Sequence, residues 1–335
     1  MNPKMTIRDA AKFLNTSHKQ VNQLLLDSGL PFSNFRGNGQ FVGTNYFNYS
    51  AAKHIFNIDK QPLTVAFQIV KGGTGKTSLA SAFAIRANLY GLRVLCIDLD
   101  QQGNLTDTFD VDAEAVPVMI DILAENYSFD DAITRVYPGM DLIASRIENA
   151  LIDDVIKMKE LPLDRVYKDP IDKLKEQYDL IVIDCPPNLG HSVAAVTLAV
   201  DLVIAPVVAE SFAMSGLKIT ANTIHELEEN YHTKIQLGIV VNKYDARTIL
   251  SQDALNMLTN HQLYKDFLLK THIRTSQDFP NAIARGQTIF DNIKPSLAQD
   301  DIDNLTREIL QLNCLPERSP GKQMLRSAKF EGALI

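Results

Sequence analysis

Several residue types and patterns are scarce or missing in this sequence, and each absence removes a class of protein. The 335 residues contain no tryptophan and three cysteines, whose spacing does not match that of a metal site. No uninterrupted apolar run approaches the roughly 18 residues that suggest a membrane-spanning helix, and residues 1–6 lack the apolar core of a secretory signal. Cys96 and Cys185 lie within apolar runs and are predicted to be buried thiols. We therefore expect a reduced, cytoplasmic protein.

An overall excess of positive charge is also missing. The net charge is −7, and the isoelectric point is about 5.5, which excludes a protein that coats DNA through bulk charge alone. The charge is unevenly distributed, however. Residues 1–60 carry seven basic and three acidic side chains, a net of +4, so the rest of the chain carries −11. This asymmetry predicts a small nucleic-acid-binding module joined to an acidic body.

Residues 1–60 are predicted to form a winged helix-turn-helix domain. Thr6 and Ser17 are each placed to cap a helix, and apolar residues recur at helical spacing after both. The second helix is predicted to bury three residues, which are Val21, Leu24 and Leu25. It is predicted to expose four polar residues that can contact DNA, which are His18, Lys19, Asn22 and Gln23.

A β-hairpin wing is predicted to follow these helices. Residues 35–42 place short apolar ends around a Gly-Asn-Gly tip and include Arg36, a further candidate for DNA contact. The alternative is that the first 60 residues form a small helical cap packed on the main domain. The basic charge and the wing favour DNA binding.

After a linker at residues 59–62, residues 63–315 alternate apolar strands with amphipathic helices. This pattern predicts an α/β fold with a mostly parallel sheet covered by helices on both faces. The predicted strands are 64–70, 93–98, one near 141–144, 180–184, 202–207, 237–242 and 267–270. The predicted helices include 76–88, 191–200, 217–230, 251–260 and 297–312. Residues 316–335 form a C-terminal tail.

The strongest chemical signal is a glycine-rich turn between the first of these strands and the first helix. Glycines allow a tight backbone whose amides can face a phosphate, and the following helix N-terminus adds its dipole. The predicted ATP-binding residues are Gly72, Gly73, Thr74, Gly75, Lys76, Thr77 and Ser78. Lys76 can reach the β- and γ-phosphates, and the Thr77 hydroxyl can ligate Mg²⁺. The usual P-loop has glycine where Val70 stands, so this is a deviant form that carries a second lysine, Lys71.

Three carboxylates follow strand ends, where ligands bind in open parallel sheets. Asp98 and Asp100 come after the second strand, and Asp184 ends a strand of the Walker B type. Thr77, Asp98 and Asp184 are the predicted Mg²⁺ residues, and the carboxylate of Asp100 can orient a water. A single aspartate after a strand is usually a helix cap, but three such features in this order favour a nucleotide site.

Together these segments resemble the ParA/MinD family of P-loop ATPases. The resemblance spans residues 63–312 and rests on six segments, which are 71–78, 98–106, 179–187, 205–207, 215–217 and 241–248. The N-terminal extension is similar to that of longer plasmid-partition ParA proteins, which also repress their own operon. Gln101 and Thr74 depart from the family's usual proline and valine, and neither change removes a reacting group.

The resemblance implies a mechanism and partners. Lys76 binds phosphate, Asp100 orients the attacking water, and Lys71 reaches the nucleotide of a partner subunit, so that ATP joins a sandwich homodimer. Hydrolysis is then slow until a centromere-binding ParB-like protein stimulates it. The family binds DNA non-specifically in the ATP state, which implies a nucleoid-associated protein. The basic candidates for that contact are Lys218, Arg247, Arg274 and Arg285, each of which is also compatible with an ordinary surface role.

Two patterns leave alternatives open. Residues 242–245 have the sequence N-K-x-D, which is a guanine-recognition pattern of GTPases. The resemblance implies instead that Asn242 contacts adenine. A third interpretation is that Asn242 is only a turn residue at the end of a strand. A MinD-like membrane switch would need a basic amphipathic C-terminal helix, but the tail is interrupted by Pro320 and Gly321. A repressor that only senses ATP is the remaining alternative.

Overall fold

The structure, a computed structural model, describes residues 3–35, 44–124, 127–209 and 213–312. Its described residues up to Phe56 form a small unit of three helices and three short strands. The elements are β1 (Met5–Thr6), α1 (Ile7–Leu14), α2 (His18–Ser28), β2 (Ser33–Phe35), β3 (Thr44–Phe47) and α3 (Tyr49–Phe56). The strands pair antiparallel in the order β1-β3-β2. The predicted wing tip, with Arg36, lies outside the described residues.

Local capping explains where the first two helices begin. Thr6 Oγ1 accepts from the backbone N–H of Asp9 at 3.2 Å, and Ser17 and Gln20 form a reciprocal capping box at the start of α2. Both helix starts agree with the sequence prediction. The predicted burial of Leu24 is wrong, because α1 and α3 cover only the line through Val21 and Leu25 and leave Leu24 43% exposed.

The body is built on one seven-stranded sheet. Its strands are β4 (Leu63–Phe67), β5 (Val94–Asp98), β6 (Ile133–Tyr137), β7 (Met140–Ile143), β8 (Leu180–Asp184), β9 (Leu202–Val208) and β10 (Gln236–Asn242). They are arranged in the order β10-β9-β4-β8-β5-β7-β6, and all neighbours are parallel except β6, which runs antiparallel to β7. The predicted mostly parallel sheet with helices is confirmed.

The helices of the body connect these strands. They are α4 (Lys76–Leu89), α5 (Asn104–Thr108), α6 (Met119–Ala124), α7 (Phe129–Ala132), α8 (Ile152–Met158), α9 (Lys168–Leu174), α10 (His191–Ala199), α11 (Ala213–Tyr231), α12 (Ile249–Asn260), α13 (Asp278–Ile283) and α14 (Leu297–Ile309), with a 3-10 helix at Ile147–Leu151. No helix in the described part of the chain is long and apolar enough to cross a membrane.

Two strand predictions need correction, and one strand was missed. β4 ends at Phe67 rather than at residue 70, because the chain turns away into the glycine loop. Residues 267–270 do not form a strand: one isolated bridge joins Leu268 to Ile239 beside β10. The antiparallel edge strand β6 was not predicted, since its side chains are mostly half-buried and lack the continuous apolar run of the central strands. Cys96 and Cys185 are buried, as predicted.

The register of the central strands brings three strand ends together. Asp184 at the end of β8 pairs with Phe67 at the end of β4 on one side and with Asp98 at the end of β5 on the other. Because parallel strands share a carboxyl edge, the loops that follow these three strands meet at one place. The strands themselves are almost fully buried, so the position of this edge is fixed by the core.

The helix α4 links this edge to the N-terminal unit. It begins at the glycine loop and packs against β4, β5 and β8 as well as against α14 and α3. Just beyond its last residue, the ring of Tyr90 lies 4.4 Å from that of Phe13 and 5.5 Å from that of Phe56. Gly91 approaches α3 so closely that a Cβ there would lie 2.4 Å from the Cα of Lys53. The N-terminal unit is therefore packed directly on the body.

A buried ion pair strengthens the same contact. Arg86 in α4 pairs with Asp303 in α14 at 2.6 Å and lies 3.7 Å from Asp9 in α1. The hydroxyl of Tyr90 also donates to Asp303. Burial is the largest single effect and raises the pKa of Asp303, but the charge of Arg86 and the hydrogen bonds from Tyr90 and Arg86 together outweigh it, so the net shift of the pKa is downward. A buried charge that loses its partner is costly, so this cluster holds the two parts of the molecule in one arrangement.

Candidate functional site

The glycine loop between β4 and α4 has the backbone conformation that only glycine adopts readily. Gly73 has φ +74° and Gly75 has φ +88°. At Gly75 a second constraint acts, because a Cβ would lie 2.3 Å from Nδ2 of Asn242. Gly72 is exposed at the loop's rim, whereas Thr74 is buried and Ser78 is half-buried in the first turn of α4. The sequence prediction of a tight glycine turn agrees with this geometry, and the predicted binding of phosphate there stays a prediction.

Lys76 is a buried cation at the start of α4. Only 7% of the residue is exposed, and its Nζ donates to the backbone oxygen of Lys71 at 3.3 Å. Burial lowers the pKa of Lys76, while the charges of Asp184 and Asp100 act in the opposite direction. An ammonium held inside the loop is placed to neutralise a bound phosphate.

Thr77 and Asp184 form the centre of the candidate metal site. The Thr77 hydroxyl donates to Oδ2 of Asp184 at 2.6 Å. Asp184 is fully buried, and among the described residues its Oδ1 has no hydrogen-bond partner. Burial, together with the charge of Asp98, raises the pKa of Asp184 well above its usual range. A buried carboxylate oxygen without a partner beside a hydroxyl fits Mg²⁺, which takes few protein oxygens and keeps several waters.

Asp98 and Asp100 are organised by the loop that follows β5. The carboxylate of Asp98 accepts from the N–H of Thr106 at 2.9 Å, from its hydroxyl at 2.8 Å, and from the N–H of Asp100 at 3.1 Å. Burial raises the pKa of Asp98, and the hydrogen bonds from Thr106 limit the rise. Asp100 is buried near Lys76 and accepts from the N–H of Gln102 at 3.1 Å. Thr106 lies in the motif at residues 98–106, and no role was predicted for it from the sequence; in the structure it orients the carboxylate of Asp98.

Lys71 lies at the rim of the loop, beside the start of α11. A Cβ on Gly216 would lie 3.4 Å from the Cβ of Lys71 and 3.1 Å from the backbone oxygen of Val70. Thr220, one turn further along α11, accepts from the N–H of Val70 at 3.3 Å. Lys71 is half-buried. The predicted reach of Lys71 into a partner subunit stays a prediction.

Asn242 lies behind the loop rather than in open solvent. It is 5% exposed, and its Nδ2 donates to the backbone oxygen of Thr74 at 2.7 Å. The adjacent Lys243 donates from Nζ to the backbone oxygen of Gly73 at 2.9 Å. Sequence reasoning missed this second contact, although the N-K pair at the end of β10 was the available signal. The predicted contact of Asn242 with adenine stays a prediction.

The structure does not gather the predicted DNA-binding residues on one element. Arg274 is bound to both carboxylate oxygens of Asp301, and Arg247 is bound to both oxygens of Asp245, whose pKa these bonds lower to about 2. Asn22 accepts from Asn45 at 2.6 Å. The remaining candidates in the described part of the chain are exposed, and they are His18, Lys19, Gln23, Lys218 and Arg285.

The glycine loop, the buried lysine and the threonine–aspartate pair define a P-loop nucleotide-binding protein. A family model described as an AAA domain matches residues 63–239. The cell division protein PomZ of Myxococcus xanthus is 32% identical over 246 residues, which make up 72% of this chain and 75% of PomZ. The sporulation initiation inhibitor protein Soj of Bacillus subtilis is 29% identical over 231 residues, 67% of this chain and 89% of Soj. The chain belongs to the ParA family of partition ATPases, which confirms the resemblance of its motifs.

Solved structures add the fold and the cofactors. A plasmid partition protein of Borrelia burgdorferi B31 bound to AMPPNP has a TM-score of 0.62 at 23% identity and covers 75% of this chain and 99% of its own. Cobyrinic acid a,c-diamide synthase of Mycobacterium smegmatis, with an ATP analogue and magnesium, has a TM-score of 0.65 at 25% identity. It covers 75% of this chain and 94% of its own. ATP and Mg²⁺ are the cofactors, in agreement with the free oxygen of Asp184. The protein is thus a ParA-like ATPase of positioning or segregation.

Proposed function

We propose that the protein is a dimerising, Mg²⁺- and ATP-dependent partition ATPase that binds DNA non-specifically in its ATP state and so segregates a plasmid or a chromosome. One observation carries the proposal: Thr77 and the buried Asp184 leave a carboxylate oxygen for Mg²⁺ beside a loop that contains two lysines, Lys71 and Lys76. Lys76 Nζ donates to the backbone oxygen of Lys71 inside the loop, and Lys71 itself lies at the rim of the loop beside α11. A second lysine in the same loop supports a role for Lys71 at the nucleotide of a partner subunit.

Each residue then has a role in the reaction. Lys76 and the loop amides bind the phosphates, and Thr77 and Asp184, supported by Asp98, hold Mg²⁺. Asp100 orients the attacking water. Lys71 of each subunit offsets the charge that develops on the partner's γ-phosphate, so hydrolysis requires a closed dimer. Slow hydrolysis makes the dimer a timer, which a centromere-binding ParB-like protein accelerates.

Two surfaces are proposed for DNA. The non-specific contact uses the exposed Lys218 and Arg285 together with Arg247 and Arg274, which would have to exchange their carboxylate partners for phosphates. Binding of this kind is strongly salt-dependent. In the N-terminal unit the exposed face of α2, with His18, Lys19 and Gln23, is proposed to bind the protein's own operator. The proposed location is the cytoplasm, on the nucleoid.

The test is binding to random-sequence duplex DNA with no nucleotide, with ADP, and with ATP plus Mg²⁺. Wild type is compared with Lys76→Ala and with a matched control, Lys234→Ala, an exposed lysine before β10. We expect cooperative, salt-sensitive binding only with ATP, in wild type and the control but not in Lys76→Ala. Thermal unfolding of each variant shows that the loss does not come from misfolding.

Two other outcomes would replace the proposal. Binding of liposomes with ATP, with random DNA ignored in every state, would indicate a membrane-associated positioning ATPase like MinD. Binding of one specific sequence through residues 1–60, with random DNA ignored, would indicate a repressor that senses nucleotide.

Lys71→Ala separates dimerisation from nucleotide binding. We expect ATP to bind to this variant without inducing a dimer, as measured by light scattering.

A further inference from the structure

The last residue of β10 and the residue after it hold two successive carbonyls of the glycine loop. Asn242 Nδ2 donates to the oxygen of Thr74 at 2.7 Å, and Lys243 Nζ donates to the oxygen of Gly73 at 2.9 Å. The backbone N–H of Lys243 also donates to Oδ1 of Asn242 at 2.8 Å, which joins the two residues. We call Asn242 and Lys243 the loop clamp.

Holding these carbonyls fixes the direction of two amide N–H groups. In a planar trans peptide, the C=O of one residue and the N–H of the next point in opposite directions, and the described part of the chain contains no cis peptide bond. The clamp draws the carbonyls of Gly73 and Thr74 to one side, which turns the N–H groups of Thr74 and Gly75 to the other. Neither N–H donates to another described residue, so both are available to an anion.

The loop clamp is held in place by hydrogen bonds to the chain at residues 273–275. The N–H of Tyr244 donates to the oxygen of Ile273 at 2.9 Å, and the hydroxyl of Thr275 donates to the oxygen of Lys243 at 2.8 Å. Lys243 has φ +53°, a left-handed conformation that is uncommon for lysine and persists where the surroundings fix it. The clamp therefore holds the loop against a rigid support, the end of β10 and the chain beside it.

We propose that the loop clamp pre-orients the amides of Thr74 and Gly75 for the phosphate chain of the nucleotide, and that Lys243 is a positioning residue for polyphosphate rather than a reader of the base. The proposal rests on the proposed function for its ligand. It gives the N-K pair at residues 242–243 a role that depends on no particular base, because its polar atoms are directed at the loop backbone.

The experiment compares ATP, GTP and inorganic tripolyphosphate, each with Mg²⁺, by titration calorimetry on the full chain. Lys243→Met keeps most of the apolar stem of the side chain but removes the donor, and Lys243→Arg restores a donor. Lys234→Met is the control, at an exposed lysine two residues before β10 begins. We expect Lys243→Met to weaken binding of ATP and tripolyphosphate by the same factor, on the order of tenfold, which corresponds to one charge-assisted hydrogen bond. Lys243→Arg should recover most of the loss, and Lys234→Met should show none.

The outcomes separate the clamp from its alternatives. A loss for ATP with tripolyphosphate unaffected, or a changed preference between ATP and GTP, would mean that Lys243 contacts the base, and the proposal would be wrong. Unchanged binding of every ligand by Lys243→Met would also overturn it. A third outcome is that Lys243→Met binds tripolyphosphate more weakly than wild type does, while wild type binds ATP no better than GTP. In that case the loop clamp stands and the assignment of ATP as the nucleotide fails. If wild type binds none of the three, both proposals fail.

Discussion

Buried charges lie at both ends of α4, and they differ in whether they are fully paired. At the carboxyl end, Arg86 and Asp303 pair directly and Tyr90 donates to the same carboxylate. At the amino end, Asp184 is fully buried, but its Oδ1 has no partner within the described part of the chain. A buried polar atom is normally satisfied, and a bound Mg²⁺ would supply the bond that Oδ1 of Asp184 lacks. One helix thus joins a cluster that stabilises the fold to a cluster that is completed by its ligand.

The largest expected effect is on stability and comes from breaking the Arg86–Asp303 pair at the carboxyl end of α4. Asp303→Ala leaves Arg86 as a buried charge without its main partner and should lower the free energy of unfolding by about 3–5 kcal/mol. Urea denaturation measures this loss, and Asp253→Ala, at an exposed position of α12, is the control that should change little. The folded fraction should still bind ATP with wild-type affinity. A small loss of stability would mean that the two ends of α4 do not differ as described.

The second largest effect is on ATP binding and comes from Lys76, at the amino end of α4. Lys76→Met removes the buried ammonium and should weaken ATP binding about a hundredfold or more, since several charge-assisted bonds to phosphate are lost. The free energy of unfolding without nucleotide should not fall, because burial disfavours the charge of Lys76 in the folded protein. Calorimetric titration and urea denaturation measure the two quantities. A variant that binds ATP normally would remove Lys76 from the site.

Asp184→Asn should separate stability from function. The amide keeps an oxygen for the Thr77 hydroxyl but carries no buried charge, so the free energy of unfolding without ligand should rise by about 1–2 kcal/mol at neutral pH. The extra stabilisation by ATP with Mg²⁺, measured as a shift of the thermal midpoint, should be lost.

The stability difference between Asp184→Asn and wild type should depend on pH. Asp184 has a raised pKa in the folded state, so the folded protein binds its proton more tightly than the unfolded chain, and wild type loses stability as the pH rises through that range. The asparagine variant lacks this contribution. Its advantage over wild type should therefore grow as the pH rises above about 4, the ordinary pKa of an aspartate. An advantage that shrinks as the pH rises would contradict the raised pKa.

The contrast between the two ends also explains what the sequence could predict. The glycine loop, Lys76, Thr77 and the strand-end aspartates are local patterns, and the parallel sheet follows from apolar runs of strand length. The partners of Arg86 and of Arg274 lie far away in the chain, at Asp303 and Asp301, so no local pattern signals them. The residue Leu24 was expected inside because its helix was considered alone, whereas the packing of α1 and α3 decides which side is covered.

The smallest expected effect tests whether the two ends act on each other. Tyr90→Phe removes one hydroxyl that donates to Asp303 while Arg86 keeps its pair, so the free energy of unfolding should fall by only about 1 kcal/mol. If α4 is a rigid connection between independent clusters, ATP affinity should be unchanged, and the double variant Tyr90→Phe with Lys76→Met should show additive effects on stability. A non-additive result, or a weaker ATP affinity in Tyr90→Phe alone, would show instead that the N-terminal unit and the nucleotide site are coupled through α4. Such coupling would connect the operator binding that we propose for the N-terminal unit to the nucleotide state, because both would bias the same helix.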